Sequence, residues 1–484
     1  MKIMISYPPL ETSKGTPLLG QNRQFQWFNN PSHIYPVVPA TAATLLKENG
    51  YDIVWNDAIA EKWGYRKFLD FFEKEKPGLI AMETKTPVVK MHWKIIDDIK
   101  KISPKCIVVL FGDHVTALPG ESLRNSKADY VLTGGDYDFL LLNLCNNLAR
   151  KEKLEPGIWH RKNGKIKNTG KFALKHNLNS LPFIDRELTK WHLYRINGNF
   201  KHLPGTYIMS GRDCWYHKCR FCSWPTLYPR FRVRSVQNVL DEIGLLIERY
   251  GIKEIMDDTG TFPVGKWLDD FCNGMIGRGY NEKILIDCNM RVNALNQEQY
   301  NMMKKAGFRL VLYGLESANQ KTLDRLDKGT KVNDIINACR SASRAGLFPH
   351  LTVMVGYPWE TKDDADRTVS FAKEIFRNGW ADTLQATIVI PYPGTGLFAE
   401  CKEKGLLKTE DWDRYDMREP VMKSPLSDLE IKELTQRLYK SFANHKYVLK
   451  KLASVRTLDD VRYMLRAAKS VVGHLKDFAA GGRG

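Results

Sequence analysis

Three cysteines lie within nine residues in the stretch SGRDCWYHKCRFCSW, which spans residues 210–224. They are Cys214, Cys219 and Cys222, and the stretch follows an apolar run, residues 207–209, that is typical of a β-strand. Three thiolates so close together can converge on one soft metal centre. A structural zinc or an iron–sulfur electron carrier normally has a fourth ligand, whereas a [4Fe–4S] cluster on three cysteines leaves one iron open.

Two other interpretations of these cysteines stay open. His217 lies inside the stretch and would complete a zinc site with them. The three cysteines would alternatively be unrelated structural residues. The chain has nine cysteines in all, and this odd number, with six of them scattered through apolar or helical contexts, argues against a disulfide framework.

The cysteine stretch opens a series of strand patterns separated by helical patterns. The strand candidates are residues 207–209, 254–256, 284–287, 310–313, 350–355 and 385–390. Six strand–helix units without the glycine fingerprint of a dinucleotide-binding fold predict a parallel barrel, full or partial. The cysteine stretch then lies at the carboxyl end of the first strand, where barrels carry their chemistry.

This loop resembles that of the radical S-adenosylmethionine (SAM) superfamily, which reads Cys-x3-Cys-x2-Cys with an aromatic residue before the last cysteine. Phe221 matches the aromatic position. The spacing departs from the family, because four residues separate Cys214 from Cys219, and a wider loop must absorb the extra one. The resemblance implies that Cys214, Cys219 and Cys222 bind a [4Fe–4S] cluster.

Polar residues at the ends of the later strands match further landmarks of that family. Asp257 ends the second strand, Arg291 follows the third, and Glu316 and Ser317 end the fourth. The resemblance implies that these four residues and Phe221 contact SAM. Glu316 is suited to accept hydrogen bonds from ribose hydroxyls, and Arg291 to face a carboxylate. An arginine or glutamate at a strand end is, alone, more often part of a surface ion pair, so the order of these residues along the chain carries the argument.

The first 150 residues also alternate strand and helix patterns. The strand candidates are residues 3–6, 51–55, 79–82, 106–111 and 130–132. This alternation predicts a parallel, Rossmann-like sheet covered on both faces, with a ligand beyond the carboxyl ends of its strands. We therefore expect this α/β domain over residues 1–150, a linker over 151–204, a partial (β/α)6 barrel over 205–400 and a helical region over 401–484.

The resemblance implies that the N-terminal domain binds cobalamin. The matching residues are Pro8, Glu83, Thr84, Lys85, Gly112, Asp113, His114, Gly134 and Gly135. The motif Asp-x-His-x-x-Gly, whose histidine ligates cobalt in many cobalamin proteins, is absent from the sequence, and the residue below cobalt is expected within residues 82–85. The alternative is a flavodoxin-like module that binds another nucleotide or nothing.

Charge and hydropathy restrict the partners. The chain of 484 residues has 73 Lys and Arg against 55 Asp and Glu, a net charge of +18, which implies an anionic partner. A solvated basic face on the C-terminal helices also accounts for part of the surplus. No nucleic-acid-binding signature accompanies it. Apolar runs fall short of the roughly 20 residues of a membrane span, and the N-terminus reads as a strand, so we expect a cytoplasmic protein.

Together these features resemble cobalamin-dependent radical SAM C-methyltransferases. In such enzymes SAM yields a 5′-deoxyadenosyl radical, methylcobalamin supplies the methyl group, and a second SAM restores it. The resemblance implies SAM and an electron donor such as ferredoxin or flavodoxin as partners. The expected substrate is a protein or peptide, for example a glutamine of methyl-coenzyme M reductase, and otherwise an anionic small molecule.

Two alternative functions use the same features. One is a cobalamin-dependent radical SAM cyclase or other rearrangement acting on a tetrapyrrole or small molecule. The other is a cobalamin or iron–sulfur sensor or electron carrier without turnover.

Overall fold

The structure, a computed structural model, describes residues 1–19, 25–29, 33–196, 200–442 and 455–477. Its strands are β1 (Lys2–Tyr7), β2 (Thr16–Pro17), β3 (Trp27–Phe28), β4 (Asp52–Asp57), β5 (Leu79–Glu83), β6 (Ile107–Phe111), β7 (Tyr130–Leu132), β8 (Ile158–Lys162), β9 (Lys165–Asn168), β10 (Gly205–Ile208), β11 (Gly211–Arg212), β12 (Arg232–Val233), β13 (Glu254–Asp257), β14 (Leu285–Met290), β15 (Phe308–Glu316), β16 (Phe348–Val355) and β17 (Thr383–Ile388).

The described α-helices are α1 (Val37–Glu48), α2 (Tyr65–Glu75), α3 (Val89–Ile102), α4 (Asp113–Ala117), α5 (Pro119–Asn125), α6 (Tyr137–Arg150), α7 (Trp224–Leu227), α8 (Val236–Tyr250), α9 (Lys266–Gly277), α10 (Gln297–Lys305), α11 (Gln320–Arg325), α12 (Val332–Arg344), α13 (Lys362–Arg377), α14 (Gly396–Glu403), α15 (Asp428–Tyr439) and α16 (Leu458–Asp477). None of them is both long and apolar enough to cross a membrane.

The first sheet has the strand order β4-β1-β5-β6-β7-β8-β9. Its first five strands are parallel, which confirms the predicted Rossmann-like sheet. The chain runs from β1 out to β4 at one edge and then crosses back past β1 to β5, so the direction of strand addition reverses and the switch point lies between β1 and β5. Open parallel sheets bind ligands beyond the strand ends at such a point.

An antiparallel hairpin, β8 and β9, extends this sheet at its far edge. The hairpin lies within residues 151–204, which the sequence predicts to be a linker. Its β-branched Ile158 is fully buried against the sheet core. The division of the chain into domains stays a prediction.

The second sheet consists of six parallel strands in chain order, β10-β13-β14-β15-β16-β17. Within the described residues β10 and β17 do not pair with each other, so the barrel is open on one side. This arrangement confirms the predicted partial (β/α)6 barrel. Helices between the strands bury their apolar faces against the outside of the sheet; α12, for example, buries Ile335, Ala338 and Cys339.

Two helices follow the barrel and differ in how they pack. The helix α15 starts with a capping box made by Ser427 and Glu430, and it buries Ile431, Leu434 and Leu438 in the barrel core. The helix α16 lies against the residues that precede β10: Arg466 donates to the carbonyl oxygens of Phe200 and Lys201 at 3.1 and 3.2 Å.

A buried ionic cluster joins the start of α6, which follows the first sheet, to the short antiparallel pair β11–β12 that flanks the cysteine loop. Arg212, on β11, donates to the Asp136 carboxylate at 2.7 Å and forms a two-pronged ion pair with Asp138 at the start of α6. Arg232, on β12, donates to the same Asp136 at 2.6 Å. All four side chains are at most 9% exposed, so each charge depends on its partner for the solvation that water would otherwise give.

Candidate functional site

The cysteine loop connects β11 to α7, at the carboxyl end of β10. Two non-glycine residues in it adopt left-handed backbone conformations, Asp213 with φ 78° and His217 with φ 59°. Such conformations are uncommon outside glycine and persist where the surroundings hold them. Here the His217 ring is hydrogen-bonded to the Asp213 carboxylate. The longer spacing between Cys214 and Cys219 is thus accommodated by a left-handed turn.

Cys214, Cys219 and Cys222 line one cavity of about 590 Å³. The Cys214 thiol lies 2.9 Å from the Thr261 hydroxyl. Burial raises the pKa of the Cys219 thiol to about 11, against the opposing effects of Lys328 and Arg291. These three cysteines are half-buried, while the six other cysteines of the chain are buried.

Arg212, Lys218 and Arg220 lie close to the cysteines in sequence. In the structure, Arg212 and Arg220 pair with acidic side chains elsewhere. Arg212 belongs to the buried ionic cluster described above, and Arg220 pairs with Glu400 at 3.0 Å. The cations that lower the pKa of Cys219 are instead Lys328 and Arg291, more than 70 residues further along the chain.

The thiols fit a cluster better than a single ion. Among the residues that the structure describes, no three histidine, cysteine or acidic side chains lie close enough together to hold one metal ion. A four-iron cluster accepts a wider spacing, because each thiolate binds a different iron. Three half-buried thiols around one cavity, with cationic Lys328 and Arg291 nearby, suit such a cluster.

Arg291 lines the same cavity, but its guanidinium already has protein partners. It lies 3.7 Å from the centre of the Tyr216 ring and 5.5 Å from that of Trp215. One of its amino groups donates to the Lys328 carbonyl oxygen at 2.6 Å. Its Nε is buried without a hydrogen-bond partner, so this residue retains one donor for a ligand.

Glu316 and Lys328 form a buried ion pair in the cavity wall, with 2.8 Å between their charged groups. Glu316 has a left-handed backbone, φ 59°, at the end of β15. Gly314 makes the pair possible, because a Cβ there would overlap both charged groups. The Lys328 ammonium also lies 5.6 Å from the ring of Phe221, which lines the cavity too.

Asp257 and Ser317 are not among the residues that line the cavity. The Asp257 carboxylate accepts hydrogen bonds from the backbone N–H groups of Ser210 and Thr259 at 3.0 Å, and so holds the loop that leads to the cysteines. The Ser317 hydroxyl donates to Glu360 at 2.6 Å. Asp258, the neighbour of Asp257, lines the cavity instead.

Several cavity residues were missed by the sequence analysis. Alternate residues of the barrel strands face the cavity: Asp287 and Asn289 on β14, Leu310, Leu312 and Gly314 on β15, and His350, Thr352 and Met354 on β16. Side chains of a strand alternate between its two faces. Polar residues at this two-residue period in strands that otherwise read as apolar are therefore the signal that could have identified them.

One wall of the cavity comes from α16, through Tyr463, Met464, Ala467, Ala468 and Ser470. Asp460, at the start of this helix, pairs with Lys201 at 2.7 Å. The residues that α16 approaches precede β10, at the open side of the barrel. Tyr463 of α16 also lies 5.8 Å from the guanidinium of Arg309, near the start of β15, so the helix lies against the amino ends of barrel strands.

The residues predicted to bind cobalamin lie at the carboxyl edge of the first sheet, and none of them lines the cavity. Pro8 follows β1 and Glu83 ends β5, on either side of the point where the strand order reverses. The Tyr7 hydroxyl donates to the Glu83 carboxylate, and Lys85 lies 3.9 Å from Asp113. Burial raises the pKa of Glu83, against the opposing effect of Lys85. Buried charged groups at such an edge fit a ligand with hydrogen-bonding groups.

The other predicted residues of this edge have protein neighbours. Thr84 is hydrogen-bonded to His92 at 2.8 Å. The two ring nitrogens of His114 lie 3.2 Å from the Thr86 hydroxyl and 2.9 Å from Glu121.

Three predicted glycines of this edge are positions of close packing. Gly112 has φ 121°, and a Cβ there would overlap the Thr84 carbonyl oxygen. A Cβ at Gly134 would overlap the Phe172 ring, and one at Gly135 the Tyr228 ring. The absence of a side chain at these glycines thus leaves space for neighbouring groups of the protein.

Comparison with known proteins places this geometry in context. Residues 208–372 match the model of the Radical SAM superfamily. An uncharacterized methyltransferase of Pyrococcus horikoshii is 28% identical over 450 residues, which are 91% of this chain and 92% of the relative. The anaerobic magnesium-protoporphyrin IX monomethyl ester cyclase of Cereibacter sphaeroides is 26% identical over 403 residues, which are 80% of this chain and 63% of the relative.

Two solved structures share the fold along nearly the whole chain. The radical SAM methyltransferase TsrM of Kitasatospora setae, with cobalamin and a [4Fe–4S] cluster bound, has a TM-score of 0.70 and covers 98% of this chain and 99% of its own. The cobalamin-dependent SAM radical enzyme OxsB has a TM-score of 0.68, with 98% and 71% covered. Identities of 14% and 16% make these likenesses of fold.

Proposed function

We propose, from the premise that residues 208–372 form a radical SAM domain, that this chain is a cobalamin-dependent radical SAM C-methyltransferase. The observation that carries the proposal is the grouping of the three half-buried cysteines with Arg291 and the Glu316–Lys328 pair around one cavity at the carboxyl ends of the barrel strands. The full-length match to a methyltransferase relative supports the reaction class.

Each residue has a stated task in this proposal. Cys214, Cys219 and Cys222 hold the cluster, and the cavity beside them takes SAM. Arg291 offers its remaining Nε–H to the SAM carboxylate, and Glu316, fixed by Lys328, accepts from ribose hydroxyls. When bound, the cluster with SAM supplies radical chemistry and cobalamin supplies the methyl group.

The cavity wall contributes positioning and water exclusion. Aliphatic side chains such as Leu310, Leu312 and Met354 give part of its wall an apolar surface, and α16 supplies another part of the wall. A reactive carbon radical attacks what is nearest to it, so exclusion of other groups is the main protection a protein can give. The cavity therefore keeps the target carbon as the nearest neighbour.

Cobalamin is proposed to bind at the carboxyl edge of the first sheet. Pro8 and the segment 83–85 flank the point where the strand order reverses, and the buried charges of Glu83, Lys85 and Asp113 supply hydrogen-bonding partners. The resemblance of this edge to cobalamin-binding domains and the TsrM-like fold of the whole chain support the assignment. Residues 82–85 would supply the residue below cobalt.

The substrate is proposed to enter the barrel cavity with one residue or one small ring system, because about 590 Å³ does not admit a folded domain. A protein substrate fits if it presents a single side chain, such as the glutamine of methyl-coenzyme M reductase. An anionic small molecule is the other candidate, with Arg291 and Lys328 as the nearby cations. Ferredoxin or flavodoxin is the proposed electron donor.

The test is anaerobic reconstitution of the full chain with iron, sulfide and hydroxocobalamin. Ultraviolet–visible spectra and bound iron report the cofactors, and mass spectrometry reports 5′-deoxyadenosine and S-adenosylhomocysteine after addition of SAM and reductant. We expect both products. A chain that binds the cluster but cleaves no SAM would contradict the proposal and favour an electron carrier or sensor.

Cysteine variants supply the matched controls. Cys214→Ala, Cys219→Ala and Cys222→Ala are expected to lose the cluster iron, since each thiol binds a different iron. Cys272→Ala, at a fully buried position in α9, is expected to retain it. Full iron content in any of the first three variants would refute the assignment of the ligands.

A cyclase is the second candidate, favoured by the 26% identity to the cyclase of Cereibacter sphaeroides. It predicts 5′-deoxyadenosine without S-adenosylhomocysteine, because no methyl group is transferred. The two functions are therefore separated by one product in the same assay.

A further inference from the structure

The four residues between Cys214 and Cys219 include an aromatic ring that lies over Arg291. Trp215, Tyr216, His217 and Lys218 separate Cys214 from Cys219. The Tyr216 ring centre lies 3.7 Å from the Arg291 guanidinium, which is within the range of a cation–π contact. The Tyr216 hydroxyl donates to Asp327 at 3.1 Å, so the ring is held at both its face and its tip.

The same ring requires a glycine opposite it. Gly329 has a left-handed backbone, φ 61°, and a Cβ there would overlap the Tyr216 hydroxyl. Arg291, below the ring, donates to the carbonyl oxygens of Lys328 and Gly329 at 2.6 and 3.3 Å. Tyr216 is thus seated between Arg291 and the segment 327–329, which are 36 residues apart in sequence.

The neighbouring contacts attach the rest of the loop to the same segment. The Arg220 N–H, next to Cys219, donates to the Leu326 carbonyl oxygen at 2.9 Å. Lys328, from this segment, lies 5.6 Å from the ring of Phe221, which precedes Cys222. The positions of Cys219 and Cys222 therefore depend on how the loop lies against residues 326–329.

We propose that Tyr216 is a positioning residue for the metal centre: its ring, stacked on Arg291 and seated against Gly329, holds the four-residue loop so that the thiols of Cys214 and Cys219 can bind one cluster. The inference rests on the proposed function, in which these cysteines are cluster ligands. It also gives Arg291 a second task, support of the loop, beside the contact with SAM.

The test compares Tyr216→Ala with Tyr216→Phe in the full chain. Tyr216→Phe keeps the ring on Arg291 and loses the hydrogen bond to Asp327, whereas Tyr216→Ala loses both. Tyr280→Ala is the control, because its ring contacts Arg278 at 5.7 Å and is not among the residues lining the cavity. The measurements are iron and sulfide bound per chain, the electron paramagnetic resonance spectrum of the reduced cluster with and without SAM, and thermal unfolding of the metal-free chain.

We expect Tyr216→Ala to bind at most about half of the wild-type iron and to show an altered spectral response to SAM. Tyr216→Phe is expected to restore both, because a ring over the guanidinium carries most of the contact. Wild-type iron content and spectrum in Tyr216→Ala would overturn the proposal. If Tyr216→Ala lowers the unfolding temperature of the metal-free chain, Tyr216→Leu, which keeps the apolar volume, replaces it and the same criteria apply.

The outcome is distinguishable from failure of the proposed function. If the wild-type chain assembles no cluster, or if Cys219→Ala keeps it, the proposed function fails and the loop is structural. If the wild type assembles a cluster and both Tyr216 variants match it, the positioning role alone fails.

Discussion

At the scale of single residues, the Glu316–Lys328 ion pair shows how the cavity wall accommodates a charged side chain. The two side chains are 7% and 12% exposed, so little water screens them. Burial by itself lowers the pKa of Lys328, but Glu316 and Cys219 together outweigh burial, so that the pKa of Lys328 is raised. The ammonium form of Lys328 is therefore favoured at this buried position by its partner Glu316.

Removal of one partner of this ion pair is expected to lower the free energy of unfolding more than removal of both. Lys328→Met leaves the Glu316 carboxylate buried and uncompensated, which typically costs about 3 to 5 kcal/mol. The double variant Glu316→Leu with Lys328→Met is expected to recover a large part of that loss. Urea unfolding of the three chains measures this, and a double variant less stable than Lys328→Met would contradict it.

The residue scale is also where sequence reasoning reached its limit. Asp257 and Asp258 are adjacent, and the sequence favours Asp257 as the ligand residue, yet Asp258 lines the cavity. The register after the last strand residue depends in part on the hydrogen bond from Ser210, 47 residues earlier in the chain, which no local pattern encodes. Similarly, Gly134 and Gly135 read as ligand contacts, although Phe172 and Tyr228, distant in sequence, pack on them.

At the scale of elements, the sequence was informative because strand patterns and their spacing reflect local burial. Alternating apolar strands and helices predicted both sheets, and their order in the second sheet follows the chain. The role of α16 was not predictable in the same way. Its apolar residues at helical spacing, such as Val461 and Leu465, predict a packing face, but these two side chains are 42% and 67% exposed.

The helix α16 is held mainly by polar contacts. Among its described side chains no apolar one is buried, whereas α15 buries Ile431, Leu434 and Leu438. The ion pair of Asp460 with Lys201, whose side chains are 10% and 23% exposed, is one of its attachments. Elements with few buried apolar contacts open locally at low free-energy cost.

We expect residues 458–477 to exchange their amide hydrogens faster than residues 428–439. Lys201→Gln removes the ion pair and is expected to speed exchange in α16 by roughly two- to fivefold, with α15 unchanged. Lys266→Gln, which removes the exposed pair with Asp270, is the control. Hydrogen-exchange mass spectrometry measures both, and equal exchange in the two variants would contradict the expectation.

At the scale of the whole molecule, the ionic cluster that joins α6 to the β11–β12 pair makes stability depend on pH. His176 lies 3.2 Å from Asp136 and 2.9 Å from Glu155 through its two ring nitrogens. Burial by itself lowers the pKa of His176, and these two hydrogen bonds outweigh it and raise the pKa to about 9. The His176 ring can donate hydrogen bonds to both carboxylates only when it is protonated.

A raised pKa stabilises the folded state at pH values below the unfolded pKa of about 6.5, and this contribution is lost as the pH rises through about 9. His176→Gln is therefore expected to lower the unfolding temperature more at pH 6 than at pH 10. Calorimetry of the wild type and the variant at both values measures the difference. An equal or larger loss at pH 10 would contradict it.

The unequal burial of the thiols has a consequence for handling the protein in air. Oxidants reach exposed thiols first, and the three cysteines of the loop are half-buried while the other six are buried. Oxygen is therefore expected to oxidise Cys214, Cys219 and Cys222 to sulfenic acids or disulfides and to leave the folded core unchanged. Such a preparation would look intact by its melting curve and yet accept no iron until a thiol reductant had been added.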